Sequence, residues 1–103
     1  MVTETTKDPT LAATELELPE KLDLSSCEAL AKHLAAMRGH PVNLLASNVT
    51  FVGAPGLQLL LSAQRQWDED KTSFRFHQVS LALREGTSLL GYPSFPFHEA
   101  NVE

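Results

Sequence analysis

The chain has 103 residues, enough for one domain and too few for two, and its 43% hydrophobic and 20% charged residues are ordinary for a soluble globular protein. Its net charge of -5 argues against a nucleic-acid partner, because binding to phosphates needs a basic face. No apolar run approaches the roughly 18 residues of a membrane-spanning helix, so we expect no direct insertion into a membrane.

Two features of the sequence bear on its compartment. The N-terminal stretch MVTETTKDPT lacks the basic and then apolar pattern of a secretory signal. Cys27 is the single cysteine and cannot form a disulfide within the chain. Together they predict a cytoplasmic protein.

The chain begins with a tail and two short strands. Residues 1–11 are mostly polar and are predicted to be a flexible N-terminal tail. Residues 14–18, TELEL, alternate polar and apolar side chains, which predicts a half-buried strand. Residues 22–24 predict a second, shorter strand.

A helix is predicted to follow. Ser25 and Glu28 have the spacing of a capping box, in which the serine accepts from the first turn and the glutamate reaches back. Gly39 is a natural C-cap and Pro41 ends the segment. The apolar stripe of this helix consists of Cys27, Leu30, Ala31, Leu34 and Met37 or Arg38.

An internal strand and a second helix come next. Residues 42–46 predict the strand, and residues 49–52 continue as an apolar stretch. Pro55 stands near the first position of the helix, where a proline loses no hydrogen bond. Residues 68–71 end the helix, and Trp67 before them is interpreted as a core-edge residue in preference to a partner contact. One face of the helix carries Leu57, Leu60, Leu61, Gln64 and Trp67.

The last part of the chain predicts one more strand and one more helix. Residues 73–77 alternate and predict the strand. Ser80 is the predicted cap of a third helix that ends at Gly91, and Gly86 within it weakens the helix by about 1 kcal/mol relative to alanine. Residues 93–103 are predicted to be an irregular C-terminal tail, from which Phe95 and Phe97 pack back on the domain.

The predicted order of elements is β-β-α-β-α-β-α. Alternation of this kind favours the α/β class, with a mixed, mostly parallel sheet of about four to five strands and helices packed on it. Residues 12–92 are predicted to form this single domain.

The residues that could bind a metal are scattered. Cysteine and histidine occur at Cys27, His33, His40, His77 and His98, and none forms a close pair with metal-ligand spacing. Cys27 falls on an apolar stripe and is predicted to be buried and inert. Ser47 lies outside any G-x-S-x-G motif, so no catalytic residue, metal or cofactor is predicted.

Residues 53–56, GAPG, precede a helix, whose N-terminus favours anions. The phosphate-binding P-loop needs a different glycine spacing and a Lys-Ser/Thr ending, both of which are missing here. Pro55 also removes one amide donor. We therefore favour a tight turn that brings Gly56 close to a neighbouring segment over a nucleotide site.

Three stretches carry a resemblance to a known family: residues 22–30, LDLSSCEAL; residues 47–57, SNVTFVGAPGL; and residues 80–91, from SLALRE to LLG. Together they resemble a STAS domain, the fold of anti-sigma-factor antagonists. The middle stretch is the most specific, because the family pattern there is an apolar stretch, Asp-Ser-Ser-Gly-Leu and a leucine-rich helix. The resemblance implies a single STAS domain of the α/β class.

The same stretch departs from the family pattern. Gly53 stands where the family usually has aspartate, and Ala54 and Pro55 stand where it has two serines. Leu45 stands where many members have another acidic residue. The phosphorylatable serine of the family maps to Ala54, which has no hydroxyl, so Ala54 is a lost phosphorylation position.

Residues 67–74, WDEDKTSF, resemble small single-domain STAS proteins encoded beside bacterial chemotaxis kinases. That resemblance implies a non-catalytic module that binds a histidine kinase and influences phosphotransfer to a response regulator. Alternatives are a constitutively active antagonist that binds an anti-sigma-factor kinase, and a STAS subunit of a lipid transporter. The partner-binding residues implied are Asn48, Thr50, Gly53, Ala54, Pro55, Gly56, Leu57 and Gln58.

Overall fold

The computed structural model describes residues 13–100 of the chain. The predicted N-terminal tail, residues 1–11, and the last part of the predicted C-terminal tail, residues 101–103, lie outside the described residues. Within them, the α/β class is confirmed. The elements are β1 Thr14–Glu17, β2 Lys21–Leu22, α1 Leu24–Ala36, β3 Val42–Leu45, β4 Phe51–Val52, α2 Ala54–Glu69, β5 Phe74–His77 and α3 Leu81–Leu89.

The strands of the described region pair in parallel and form two sheets. The larger sheet has the order β1-β3-β5, with Leu44 of the central strand opposite Leu16 on one side and Phe76 on the other. The smaller sheet pairs β2 with β4 and places Lys21 opposite Phe51. The prediction of a mostly parallel arrangement is confirmed, but the described strands form two sheets of three and two strands, where a single sheet of four to five was predicted.

Strand β4 corrects the predicted order of elements. Residues 49–52 were expected only to continue an apolar stretch, but Phe51–Val52 is a separate strand, and the order is β-β-α-β-β-α-β-α. Its partner is β2, and the Gly53 amide just after it donates to the Leu22 carbonyl at 2.9 Å. A two-residue strand is too short to show alternation, so periodicity could not reveal it.

The core lies around the larger sheet. Val42, Asn43 and Leu44 are all buried, so both faces of β3 are covered, as expected for an internal strand of a parallel sheet. Helix α1 packs against α2, and α3 packs against β4. Burial of Leu30 and Leu34, which confirms the stripe predicted for α1, stabilises the fold by about 1.5–3 kcal/mol each.

Helix α1 begins earlier than the sequence predicts. Its N-cap is Asp23, whose carboxylate accepts from the Ser25 amide at 3.1 Å, while the Ser26 hydroxyl accepts from the Asp23 amide at 3.3 Å. The predicted box of Ser25 and Glu28 is therefore wrong, and the predicted strand at residues 22–24 ends at Leu22. Aspartate is as good an N-cap as serine, and here the box starts from the aspartate.

Helix α3 shows why a glycine stands inside it. Its predicted cap is confirmed, since the Ser80 hydroxyl accepts from the Leu83 amide at 3.1 Å. A Cβ built on Gly86 would overlap Cγ1 of Val52. The glycine lets the helix lie directly on β4, which offsets its low helix propensity.

The segment after α3 packs along the free edge of β5. Phe97 is buried and stacks on Phe76 with ring centroids 4.5 Å apart, and Phe95 also packs against the core. The Phe76 amide donates to the His98 carbonyl at 2.8 Å, and the Ala100 amide donates to the Phe76 carbonyl at 2.9 Å. The expected packing of Phe95 and Phe97 is thus confirmed.

Candidate functional site

We call the loop the three residues 53–55 at the junction of β4 and α2, of which the last two already belong to the helix. Gly53 is the N-cap, in an extended conformation with φ -108°, and offers no side chain to the helix. Ala54 is the first helical residue and Pro55 the second, positions whose amides have no partner within a helix. The Leu57 amide donates to the Gly53 carbonyl at 3.0 Å and closes the first turn.

Three of the predicted partner-binding residues form one exposed surface. Ala54, Pro55 and Gln58 are all exposed. Ala54 and Gln58 are four residues apart, so their side chains lie on the same face of α2. Gly53 is half-buried beside them. None of the four is ionisable, so this surface has shape and apolar area but no charge.

Two other predicted residues lie beneath that surface. Leu57 is 1% exposed and belongs to the core. Gly56 is buried, and a Cβ built on it would lie 2.7 Å from the Leu22 carbonyl carbon and closer still to its oxygen. The expected close approach of Gly56 to a neighbouring segment is confirmed. Both residues shape the loop from inside and are not available for contact with a partner.

The remaining predicted residues, Asn48 and Thr50, lie on the connection between β3 and β4. Both are exposed, and both contact the segment that runs from the end of β1 to the start of β2. The Asn48 amide group donates to the Glu17 carboxylate, and the Thr50 hydroxyl donates to the Glu20 carbonyl at 3.2 Å. These contacts fix the connection on which the loop rests.

Phe51 was missed by the sequence analysis. Its side chain is 49% exposed, and a Cβ built on Gly53 would lie 3.3 Å from its Cε2 atom. The ring therefore covers the side of the loop at Gly53. A signal was present in the sequence, because residues 41–64 contain no charged residue and Phe51 is the only aromatic one among them.

The residues considered for catalysis or metal binding do not come together. In the range 13–100, no group of three or more His, Cys, Asp or Glu side chains is placed to hold a metal ion. Cys27 is half-buried. His98 Nε2 lies 3.2 Å from the Asp68 carboxylate, and the Nε2 atom of His77 is buried without a hydrogen-bond partner.

Trp67 occupies the position favoured by its interpretation as a core-edge residue. Its side chain is 2% exposed and lies 5.1 Å from the Phe74 ring, centroid to centroid. The indole nitrogen donates to the His40 carbonyl at 2.8 Å. Trp67 therefore joins α2 to the turn before β3 and is not exposed to a partner.

The family model described as "Mlab, STAS domain" matches residues 5–92 of the chain. No curated protein and no solved structure matches it. Across residues 13–100, none of the helices has the length and apolar character needed to cross a membrane. The described parallel strands, the helices packed on them and the loop before α2 agree with the match. The chain belongs to the STAS domain family, whose members are in general non-catalytic protein-interaction modules.

Proposed function

We propose that this STAS domain docks on a signalling histidine kinase of a bacterial chemotaxis system and modulates phosphotransfer from the kinase to a response regulator. It acts in the cytoplasm, without catalysis of its own and without a cofactor. The observation that carries the proposal is the exposed, neutral surface of Ala54, Pro55 and Gln58 at the start of α2.

The chemistry of Ala54 supports binding that is not gated by phosphorylation of the loop. A serine at this exposed position could acquire about two negative charges and repel a fitted partner. Alanine has no hydroxyl to modify. The loop is therefore always in the neutral form, which supports a permanent adaptor over a phosphorylation-driven switch.

The test is a pull-down from the native cytoplasm with the wild-type chain and Ala54→Glu as parallel baits. Ala54 is exposed and is the first residue of α2, where a carboxylate is favoured by the helix dipole, so the variant should fold. A new charge in a docked apolar surface loses its hydration without gaining a partner. We expect the wild-type bait to recover a histidine kinase and the Ala54→Glu bait to recover none.

A matched control is Ala29→Glu, which adds the same charge at an exposed alanine on α1. It should recover the kinase as wild type does. Recovery of an anti-sigma-factor kinase would favour the constitutively active antagonist. Recovery of a membrane transport complex would favour the transporter subunit, and equal recovery of a kinase by Ala54→Glu would place the docking surface elsewhere.

A further inference from the structure

Two long stretches of this chain carry no charged residue, although one residue in five is charged overall. They are residues 41–64 and residues 86–97. In the fold they pack together, since Gly86 of α3 lies on Val52 of β4. The Gln64 side chain also donates to the Pro96 carbonyl at 2.9 Å. At the start of α3 the Ser80 hydroxyl donates to the Val49 carbonyl, and further along Gly86 lies on Val52, so α3 runs beside residues 49–52 and its neutral end lies toward the loop before α2.

Exposed apolar side chains gather where these stretches meet the surface. Leu89 is 88% exposed and Leu90 39% exposed, at the last turn of α3. Tyr92, which follows, lines the same surface depression as Gln58 of α2. We call the neutral patch the set of Phe51, Ala54, Pro55, Leu89, Leu90 and Tyr92.

Charged residues stand at the rim of the neutral patch. Lys21 is opposite Phe51 in the pairing of β2 with β4. Glu85 is exposed one turn before Leu89 on the same face of α3, and Arg65 and Asp68 of α2 line the depression that Tyr92 and Gln58 share. A neutral apolar centre inside a charged rim is the arrangement found in protein–protein interfaces, where charges are depleted at the core.

We infer that the kinase-binding surface is the whole neutral patch, with the end of α3 as its second half, and that the kinase meets it with a neutral, apolar surface. This inference rests on the proposed function and names the chemistry of the partner. A charged or phosphorylated partner surface would lose hydration against the patch with no opposite charge to replace it.

Other occupants fit the patch less well. Residues 1–12 contain three charged residues, Glu4, Lys7 and Asp8, and these charges would lose their hydration against a neutral patch. A second copy would bring another net charge of -5, and the two acidic chains would repel each other on approach. Nucleic acid would need cations, which the six residues of the patch do not supply.

The direct test is photo-cross-linking in the native cells, with a photoreactive amino acid placed in turn at Ala54, Leu89 and Ala36. Ala36 is the matched control for Leu89, since each is the exposed last residue of its helix. We expect Ala54 and Leu89 to give adducts with the same histidine kinase, and Ala36 to give none.

Each other result has a definite meaning. A kinase adduct at Ala54 but not at Leu89 would overturn the inference and leave the proposed function in place. Adducts at both positions with one identified protein that is not a kinase would overturn the proposed function and keep the extended patch. Adducts of the chain with itself, or none at Leu89 with any protein, would overturn the inference.

A binding measurement with the purified kinase gives the size of the effect. Leu89→Lys puts a positive charge at a helix C-terminus, where the dipole favours it, so folding should be retained. We expect its affinity to fall roughly tenfold or more, as for charge placed in the core of an interface. Ala36→Lys should bind as wild type, and equal affinities for both variants would contradict an interface at Leu89.

Discussion

Gly56 is the residue whose replacement should damage the fold most among those near the loop. Its α-carbon lies so close to the Leu22 carbonyl that a methyl group would require backbone movement. We expect Gly56→Ala to lower the free energy of unfolding by about 1–3 kcal/mol, the cost of overpacking a filled site. Urea denaturation followed by circular dichroism measures the change.

Gly53→Ala is the control for that prediction. A Cβ at Gly53 would meet the Phe51 ring edge at 3.3 Å, and this half-exposed side chain can move aside. Alanine is a poorer N-cap than glycine, so a small loss is still expected. If the two variants lose equal stability, the close approach of Gly56 to Leu22 is not what requires a glycine there.

The Arg84 and Glu99 pair should make stability depend on pH in the acid range. Arg84 Nη1 and Nη2 donate to the Glu99 carboxylate at 3.0 and 2.9 Å, and these hydrogen bonds hold the pKa of Glu99 below its ordinary 4.5. A lowered pKa means that the pair stabilises the fold above about pH 4.5. That contribution is lost as the pH falls through the lower value of the folded state.

Glu99→Gln should therefore be less stable than wild type at pH 7 and closer to it near pH 3. Both side chains are partly exposed, so we expect only about 0.5–1 kcal/mol at pH 7. Thermal melts across this range measure the difference. Glu85→Gln, a change at the exposed glutamate next to Arg84 in α3, is the control, and an identical pH dependence in the two variants would contradict the role of the pair.

At the scale of elements, the cap of α1 gives a further test. The Asp23 carboxylate accepts hydrogen bonds from the Ser25 hydroxyl and amide. These hydrogen bonds lower the pKa of the Asp23 carboxyl, and the one from the hydroxyl has the larger effect. Asp23→Ala should lower the free energy of unfolding, because the helix loses its N-cap. Glu28→Ala should cost less, since Glu28 only contacts Lys32 at 3.8 Å. If urea denaturation shows a larger loss of stability for Glu28→Ala than for Asp23→Ala, the capping box of Ser25 and Glu28 predicted from the sequence would be the correct one.

Local signals predicted some elements well and others poorly. The Ser80 cap and the alternation of β5 are properties of a few consecutive residues, and both were confirmed. Strand β4 depends on pairing with β2, about thirty residues earlier in the chain, so no local sequence pattern predicts it. The path of residues 95–100 along β5 likewise depends on ring packing on Phe76, which only the folded chain creates.

Across the folded chain, the sequence did not predict which residues of the candidate site are exposed. It singled out Ala54, Pro55 and Gln58, which are exposed, together with Gly56 and Leu57, which are buried. Which face of α2 is buried is decided by the position of the sheet, not by the loop motif. Phe51 and Leu89 escaped prediction because their neighbours come from distant parts of the chain.

The proposed docking of this STAS domain on a histidine kinase depends on a permanently neutral loop. The most direct measurement is calorimetric titration of the purified kinase, recovered with the wild-type chain, against wild type, Ala54→Glu and Ala29→Glu. We predict that Ala54→Glu binds at least tenfold more weakly, roughly 1.4 kcal/mol or more, and that Ala29→Glu binds as wild type. Equal affinity of all three chains would contradict the claim.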